Sequence, residues 1–399
     1  MNDALLSRQP ILDRQQALVG YELSLGSSAG ELVCAAYAEL GVRSALGSNR
    51  AFLCVNTDFL HNDAIELLPA DGVVIELSLD GAPSEATLTR CRSLRERGYS
   101  LALTDYRGLD ERSRPLLSIL DIIKIDIGHC DEPTLSSLAG ALLRLPLKLL
   151  AQGVDTPAQM TRCLAIGFQL FQGNHFAKSE IISGRRLSAT QAGLIRLINL
   201  SARDAETNVL EEAFKREPAL TVNLLRIVNS VGIGGNRFGQ KISSLRHAIT
   251  LLGRRQLQRW LQLLLVSPAN GSANLGNSPL LQVAALRGSM MEMLVKKAGD
   301  PALADLAFIT GIMSMMPAAL GMPMNEILDQ ITLEPEVREA LSAQTGALGR
   351  LLALLECFDS DDTAGCDALL AELSSSAIDR AALNICLTDA LRWVNGEGS

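Results

Sequence analysis

The sequence predicts two domains of different class, a modified TIM-type α/β barrel short enough to be incomplete, followed by an all-helical domain. Three observations support this. Short, nearly continuous apolar runs alternate with amphipathic segments from residue 9 to about 182. Beyond that, the apolar residues adopt helical spacing. At 399 residues, the chain also exceeds one ordinary hydrophobic core.

The β-type runs are LVGYELSL, FLCVN, GVVIELSL, YSLALTD, IIKID, LKLLAQG and FQLFQG. Strands covered on both faces have this unbroken apolar character. The pieces between them, such as SEATLTRCRSLRERG with Gly98 at its end, read as helices closed by glycine. Repeated βα units imply a parallel sheet, and seven or eight of them imply a barrel. After SEIISGRRLSATQAG, Leu194, Leu197, Ile198 and Leu200 fall on one helical stripe, and helix or turn continues to Trp393. The stretch SPANGSANLGNSP, residues 267–279, reads as a loop joining two helical subdomains. The expected domains are residues 1–187 and 188–399.

With 48% hydrophobic and 20% charged residues, the composition is that of globular domains, and no membrane-spanning run is expected. The start MNDALLSRQPILDR lacks the parts of a secretory signal, so a cytoplasmic location is expected. A net charge of −8 gives no general attraction to nucleic acid or anionic lipid. Arg254, Arg255 and Arg259 in GRRQLQRW could form a local basic patch, although the solvated face of a helix is the simpler reading. The eight Cys are scattered without a CxxC pair and read as buried thiols.

Polar residues interrupt or end several apolar strands: Glu22, Asn56, Glu76, Asp105, Lys124 and Asp126. An unpaired buried carboxylate is costly, so each needs a partner. In a parallel barrel these side chains converge on the C-terminal mouth, an arrangement suited to hard divalent cations. Separate pairing, or capping of turns, explains the spacing equally well.

RQPILDRQQALVGYELSL resembles the start of an EAL domain, the cyclic di-GMP phosphodiesterase fold, in the divergent form joined to an HDOD domain. VNTDFL, VVIELSL, LALTDYRG, IIKIDI, LLAQGVDT and QLFQGNHFAKS follow in the family's order, so the resemblance spans residues 8–180. It implies a pocket formed by Glu22, Asn56, Glu76, Thr104, Asp105, Lys124, Asp126, Gln152 and Gln172. The match is incomplete. Leu23-Ser24 stands for the signature Ala-Leu, Gly26 for a substrate-binding Arg, Thr104 for the first carboxylate of the Asp-Asp loop, and Gln152 for a Glu. A two-metal phosphodiesterase must neutralise two cations and lower the pKa of a bridging water. Neither a Thr hydroxyl nor a Gln amide neutralises a cation, and Gln cannot serve as a base. Without the Arg, the bidentate grip on phosphate is also lost. The pocket is therefore expected to be vestigial: no catalytic residue, no resident metal, only weak residual Mg2+ or Mn2+ binding left open, and no cyclic di-GMP binding.

The stretch from Leu210 to Leu257 resembles the core of an HDOD domain, a helical relative of HD phosphohydrolases, through EPAL, RIVNSVGIG and ISSLRHAITLLG. Where HD enzymes carry their His-Asp pair, this chain reads Met313-Ser314-Met315-Met316. Of its four His, only His247 lies in this half, and none precedes an Asp, so no HD metal site is expected. Met290, Met291, Met293, Met313, Met315, Met316, Met322 and Met324 could offer an adaptable docking surface, although core filling is the simpler reading. NSVGIGGNRFGQKI, residues 229–242, reads as an exposed loop. The resemblance implies a bacterial signalling protein linked to cyclic di-GMP, motility or biofilm. It would act through other signalling proteins, a homodimer being compatible with this.

Overall fold

The computed structural model describes residues 5–25, 45–79, 81–108, 110–111, 113–175, 187–229, 242, 244–266, 278–360, 362–373 and 378–395. They form two compact units. One comprises Met1–Lys178, Lys297–Gly299 and Leu354–Ser399, the other Ser179–Lys296 and Asp300–Ala353.

The first unit is built on a closed barrel of eight strands in chain order. They are β1 (Leu6–Asp13), β2 (Leu18–Leu25), β3 (Arg50–Val55), β4 (Val73–Leu77), β5 (Ser100–Leu103), β6 (Ile122–Asp126), β7 (Lys148–Gln152) and β8 (Leu170–Gln172). From β2 to β8 each neighbouring pair is parallel. Strand β1 closes the ring antiparallel to both β2 and β8. The barrel is thus complete, contrary to the expectation from its length. An antiparallel neighbour needs only a tight turn, where a parallel one needs a crossover. Asp13 holds that turn by accepting hydrogen bonds from Gln15 N at 2.9 Å and Ala17 N at 2.8 Å. The strand escaped the sequence reading because LSRQPILD places Arg8, Gln9 and Pro10 where an apolar run was sought.

The crossover helices begin and end where the sequence supplies caps. Ser84 accepts from Thr87 N ahead of Glu85–Glu96, and Asp131 accepts from Thr134 N ahead of Glu132–Leu142. Thr156 and Gln159 form a capping box at the start of Pro157–Ile166. Ile11, Phe52, Val74, Ala102, Ile122, Leu150 and Leu170 make a buried apolar layer with contributions from seven of the strands. It is the floor on which the polar site rests.

The same unit contains the C-terminal helix Arg380–Val394. Its Asn384 Oδ1 accepts from Leu6 N at 2.8 Å, giving the first residue of β1 a buried partner. Arg8 lies over the Tyr21 ring and 3.6 Å from Asp359. The division therefore differs from the expected cut after residue 187, since residues 354–399 group with the barrel. Helical periodicity marks which face is apolar but not what covers it.

The second unit is helical throughout its described residues. One stretch corrects the expectation about membrane spans: between Asp305 and Glu326 there is no charged residue, and Pro301–Leu320 is long and apolar enough by length and composition to cross a membrane. The fold divides it into Ala304–Met313 and Met316–Leu320, and 56% of it is buried. Two glycines bring helices Pro279–Lys297 and Ala304–Met313 together, because a Cβ on Gly311 would lie 2.6 Å from Gly288 Cα. Nearly all of the expected loops at 229–242 and 267–279 lie outside the described residues.

Candidate functional site

Side chains two residues apart on a strand share a face. One step beyond the apolar floor, Val74 leads to Glu76, Ile122 to Lys124, Leu170 to Gln172 and Phe52 to Cys54, while on antiparallel β1 Ile11 leads to Gln9. The polar layer follows from strand periodicity alone.

Lys124 stands at its centre. Its Nζ lies 2.8 Å from Glu22 Oε2 and 3.3 Å from Glu76 Oε2. The Lys124 and Glu76 side chains are 1% and 0% exposed, and that of Glu22 is 19% exposed. Gln172 Nε2 donates to Glu22 Oε2 and, at 2.6 Å, to Gln9 Oε1, while Gln172 Oε1 is buried without a hydrogen-bond partner. Strands β1, β2, β4, β6 and β8 are thereby joined through one cluster.

A single ammonium can balance one carboxylate. Burial works against the charge of Glu22, but Lys124 and the hydrogen bond from Gln172 outweigh it and hold this carboxyl below its usual range. Glu76 moves the other way, up to about 8, because burial disfavours its charge, Lys124 offsets this only in part, and Glu22 adds repulsion. Burial also opposes the charge on Lys124, yet the two carboxylates raise its pKa above the ordinary lysine value. The two carboxyls are thus driven apart, Glu22 toward its charged form beside Lys124 and Glu76 toward its protonated form. Beside it, the Cys54 thiol is pushed up to about 12, chiefly by burial, which favours its protonated form.

The other expected residues have separate attachments. Asn56 Oδ1 accepts from Phe59 N at 2.9 Å and caps Thr57–Leu60. Thr104 Oγ1 donates to Leu77 O at 3.2 Å. Asp126 accepts from Gly128 N at 2.8 Å and lies 2.9 Å from His129 Nδ1. Asp105, with φ +52°, is exposed on the loop after β5, and Gln152 is half-buried beside Gln172 in register. No side-chain hydrogen bond among the described residues joins these five to the Lys124 cluster. Gly26 lies outside the described residues. Sequence reasoning missed Gln9 and Cys54; recognition of β1, and counting back two from Asn56, would have found them.

This donor set does not fit a pair of divalent cations. Among the described residues no three His, Cys, Asp or Glu side chains are grouped to hold a metal. Both carboxylates that do converge are already bound to an ammonium, and the amide oxygen of Asn56 caps a helix.

In the second unit, Met313, Met315 and Met316 are buried, while Ser314 Oγ donates to Gly311 O and accepts from Arg287, both at 2.8 Å. His247 is exposed. Of the arginines read as a solvated helix face, Arg254 and Arg255 are 40% and 58% exposed and Arg259 only 15%; Arg255 and Arg259 both pair with Asp305, Arg259 also with Glu292 at 3.1 Å, and Arg254 approaches Asp204 at 3.6 Å.

Residues 189–353 match the HDOD domain family. The chain carries an HDOD domain. Its Met313–Met316 segment lies within this HDOD match, which follows the eight-stranded barrel. Over 97% of both chains, the sequence is 26% identical to the uncharacterised protein YuxH of Bacillus subtilis. It is 27% identical to the cyclic di-GMP phosphodiesterase CdgJ of Vibrio cholerae, over 98% of this chain and 93% of that one. Among solved structures, a standalone EAL protein from Vibrio cholerae O395 in its c-di-GMP-bound form shares 21% identity at a TM-score of 0.35, covering 44% of this chain and 92% of that one. These names lend no support to the expectation that cyclic di-GMP goes unbound.

Proposed function

We propose that this chain is a cyclic di-GMP-linked signalling protein whose EAL-like barrel does not hydrolyse the dinucleotide and whose HDOD domain acts as an interaction module toward other signalling proteins. The observation that carries this reading is the pair of neutral side chains, Thr104 and Gln152, standing where the resemblance calls for carboxylates around Glu22, Glu76 and Lys124. Two-metal hydrolysis requires anionic ligands free to neutralise cations and to stabilise a hydroxide. Here one carboxylate is neutralised by lysine and the other favours its proton, while neutral Thr104 and Gln152 add no charge. The barrel then serves as a folded body, and signal transfer falls to surfaces.

The name of the Vibrio cholerae relative favours a second reading, in which the barrel is an active cyclic di-GMP phosphodiesterase or binds the dinucleotide without cleaving it. Incubating the purified full chain with cyclic di-GMP and Mg2+ or Mn2+ separates the readings. No linear dinucleotide is expected. A linear product that disappears in Glu22→Ala would establish the enzyme instead, and calorimetric binding without product would establish the receptor.

A further inference from the structure

Helix Ala189–Ala202 opens the HDOD domain and has two distinct faces. Leu194, Leu197 and Ile198 are buried on one side. On the other, spacings of four, three and four align Ala192, Arg196 and Asn199 with Arg203 at the C-cap. That side borders a groove of about 460 Å³ within the second unit, with Leu200 in its base and Gln330 in its far wall.

The groove is held open by the chain itself. Asn199 Nδ2 donates to Gln330 O at 2.9 Å and its Oδ1 accepts from Thr332 N at 2.8 Å, so one side chain fixes the far wall to the helix. Arg203 Nη2 donates to Thr332 Oγ1 at 3.3 Å, which places this guanidinium at one end. Between the polar groups, Ala192, Ile195 and Leu200 supply apolar surface. A preformed groove of this kind suits the apolar stripe of a helix.

Its charge is one-sided. Among the described residues no carboxylate lines the groove. Arg196 is exposed and has no hydrogen bond or ion pair among them, and Arg203 has only the neutral Thr332 hydroxyl. By contrast Arg246, Arg255, Arg259 and Arg338 of the same unit each pair with an Asp or Glu. Seven residues of helix separate Arg196 from Arg203 by about 10 Å, which is the spacing of two carboxylates one heptad apart on a helix lying alongside.

We propose that this groove docks an acidic amphipathic helix of another protein, its carboxylates meeting Arg196 and Arg203 and its apolar stripe resting on Ala192, Ile195 and Leu200. The proposal rests on the reading of the HDOD domain as an interaction module and names the surface and the partner chemistry. The net charge of −8 favours a helix over a polyanion. An extended nucleic acid would meet the repulsion of the whole chain, whereas a helix needs only contacts within a Debye length, about 8 Å at physiological salt.

Fluorescence anisotropy of the full chain with two labelled peptides tests this. Each peptide spans about three heptads with Leu on one face, flanked by Glu in the first and by Lys in the second. The Glu peptide should bind about tenfold more tightly than the Lys peptide, and the difference should shrink as salt is added. Arg203→Gln should weaken the Glu peptide about two- to fivefold. Arg196→Glu should weaken it by about tenfold and strengthen the Lys peptide, with the thermal midpoint unchanged, an exchange of preference that a purely structural role would not produce. Equal affinity for the two peptides, no binding at millimolar concentration, unchanged affinity in Arg196→Glu, or tighter binding of a thymidine oligonucleotide would overturn the proposal. If it fails while wild type and Arg196→Glu capture the same proteins, the interaction-module reading survives without this groove; capture of nothing by either chain counts against that reading itself.

Discussion

Lys124 Nζ lies 2.8 Å from Glu22 Oε2 above the apolar floor of the barrel, with Glu76 next to them both. A buried pair of this kind contributes little net stability, but breaking it is expensive, because the remaining charge loses its counter-ion in a site largely shielded from water.

Lys124→Met should therefore destabilise the chain by about 3–5 kcal/mol at neutral pH. The loss should be smaller in mild acid, where protonation relieves the Glu22 carboxylate left without its ammonium. Urea denaturation at two pH values checks both expectations.

Glu76 gives the cluster a pH signature. Its carboxyl is raised to about 8, so protons bind the folded chain more tightly than the unfolded one. The stabilisation it contributes is intact below the ordinary carboxylate range and is lost as pH rises toward about 8. Relative to Glu76→Gln, the wild type should lose stability from about pH 5 to about pH 8. A constant difference between the two proteins across that window would contradict this assignment.

Much of this site was legible in the sequence, and the reasons for the rest are physical. IIKID could be recognised as a strand bearing an inward Lys124, because apolar neighbours on both sides fix its periodicity. Gln9 was hidden in LSRQPILD, where Pro10 and the polar residues mask a strand that needs no crossover helix. Arg259 resembled a surface residue until Glu292 and Asp305, from distant segments, were placed beside it. That residues 354–399 group with the barrel depends on contacts such as Asn384 to Leu6 N, which no periodicity encodes.

Asn384→Ala should accordingly weaken the barrel. It leaves Leu6 N buried without its acceptor, at a cost of about 1–3 kcal/mol. Hydrogen exchange should accelerate most at the start of β1.

Gly173 sets the end of β8. It holds φ +147°, and a Cβ there would lie 2.2 Å from Val154 O. Gly173→Ala should cost about 1–3 kcal/mol from the backbone conformation, with the steric overlap adding to it. Thermal unfolding should show a lowered midpoint.

Anomalous diffraction from crystals soaked in Mn2+ examines the central claim most directly. With the ammonium already seated between the carboxylates, Lys124 should remain within hydrogen-bond reach of Glu22 and no pair of manganese peaks should appear at the barrel mouth. Two adjacent, fully occupied ions liganded by Glu22 and Glu76, with Lys124 displaced, would contradict it.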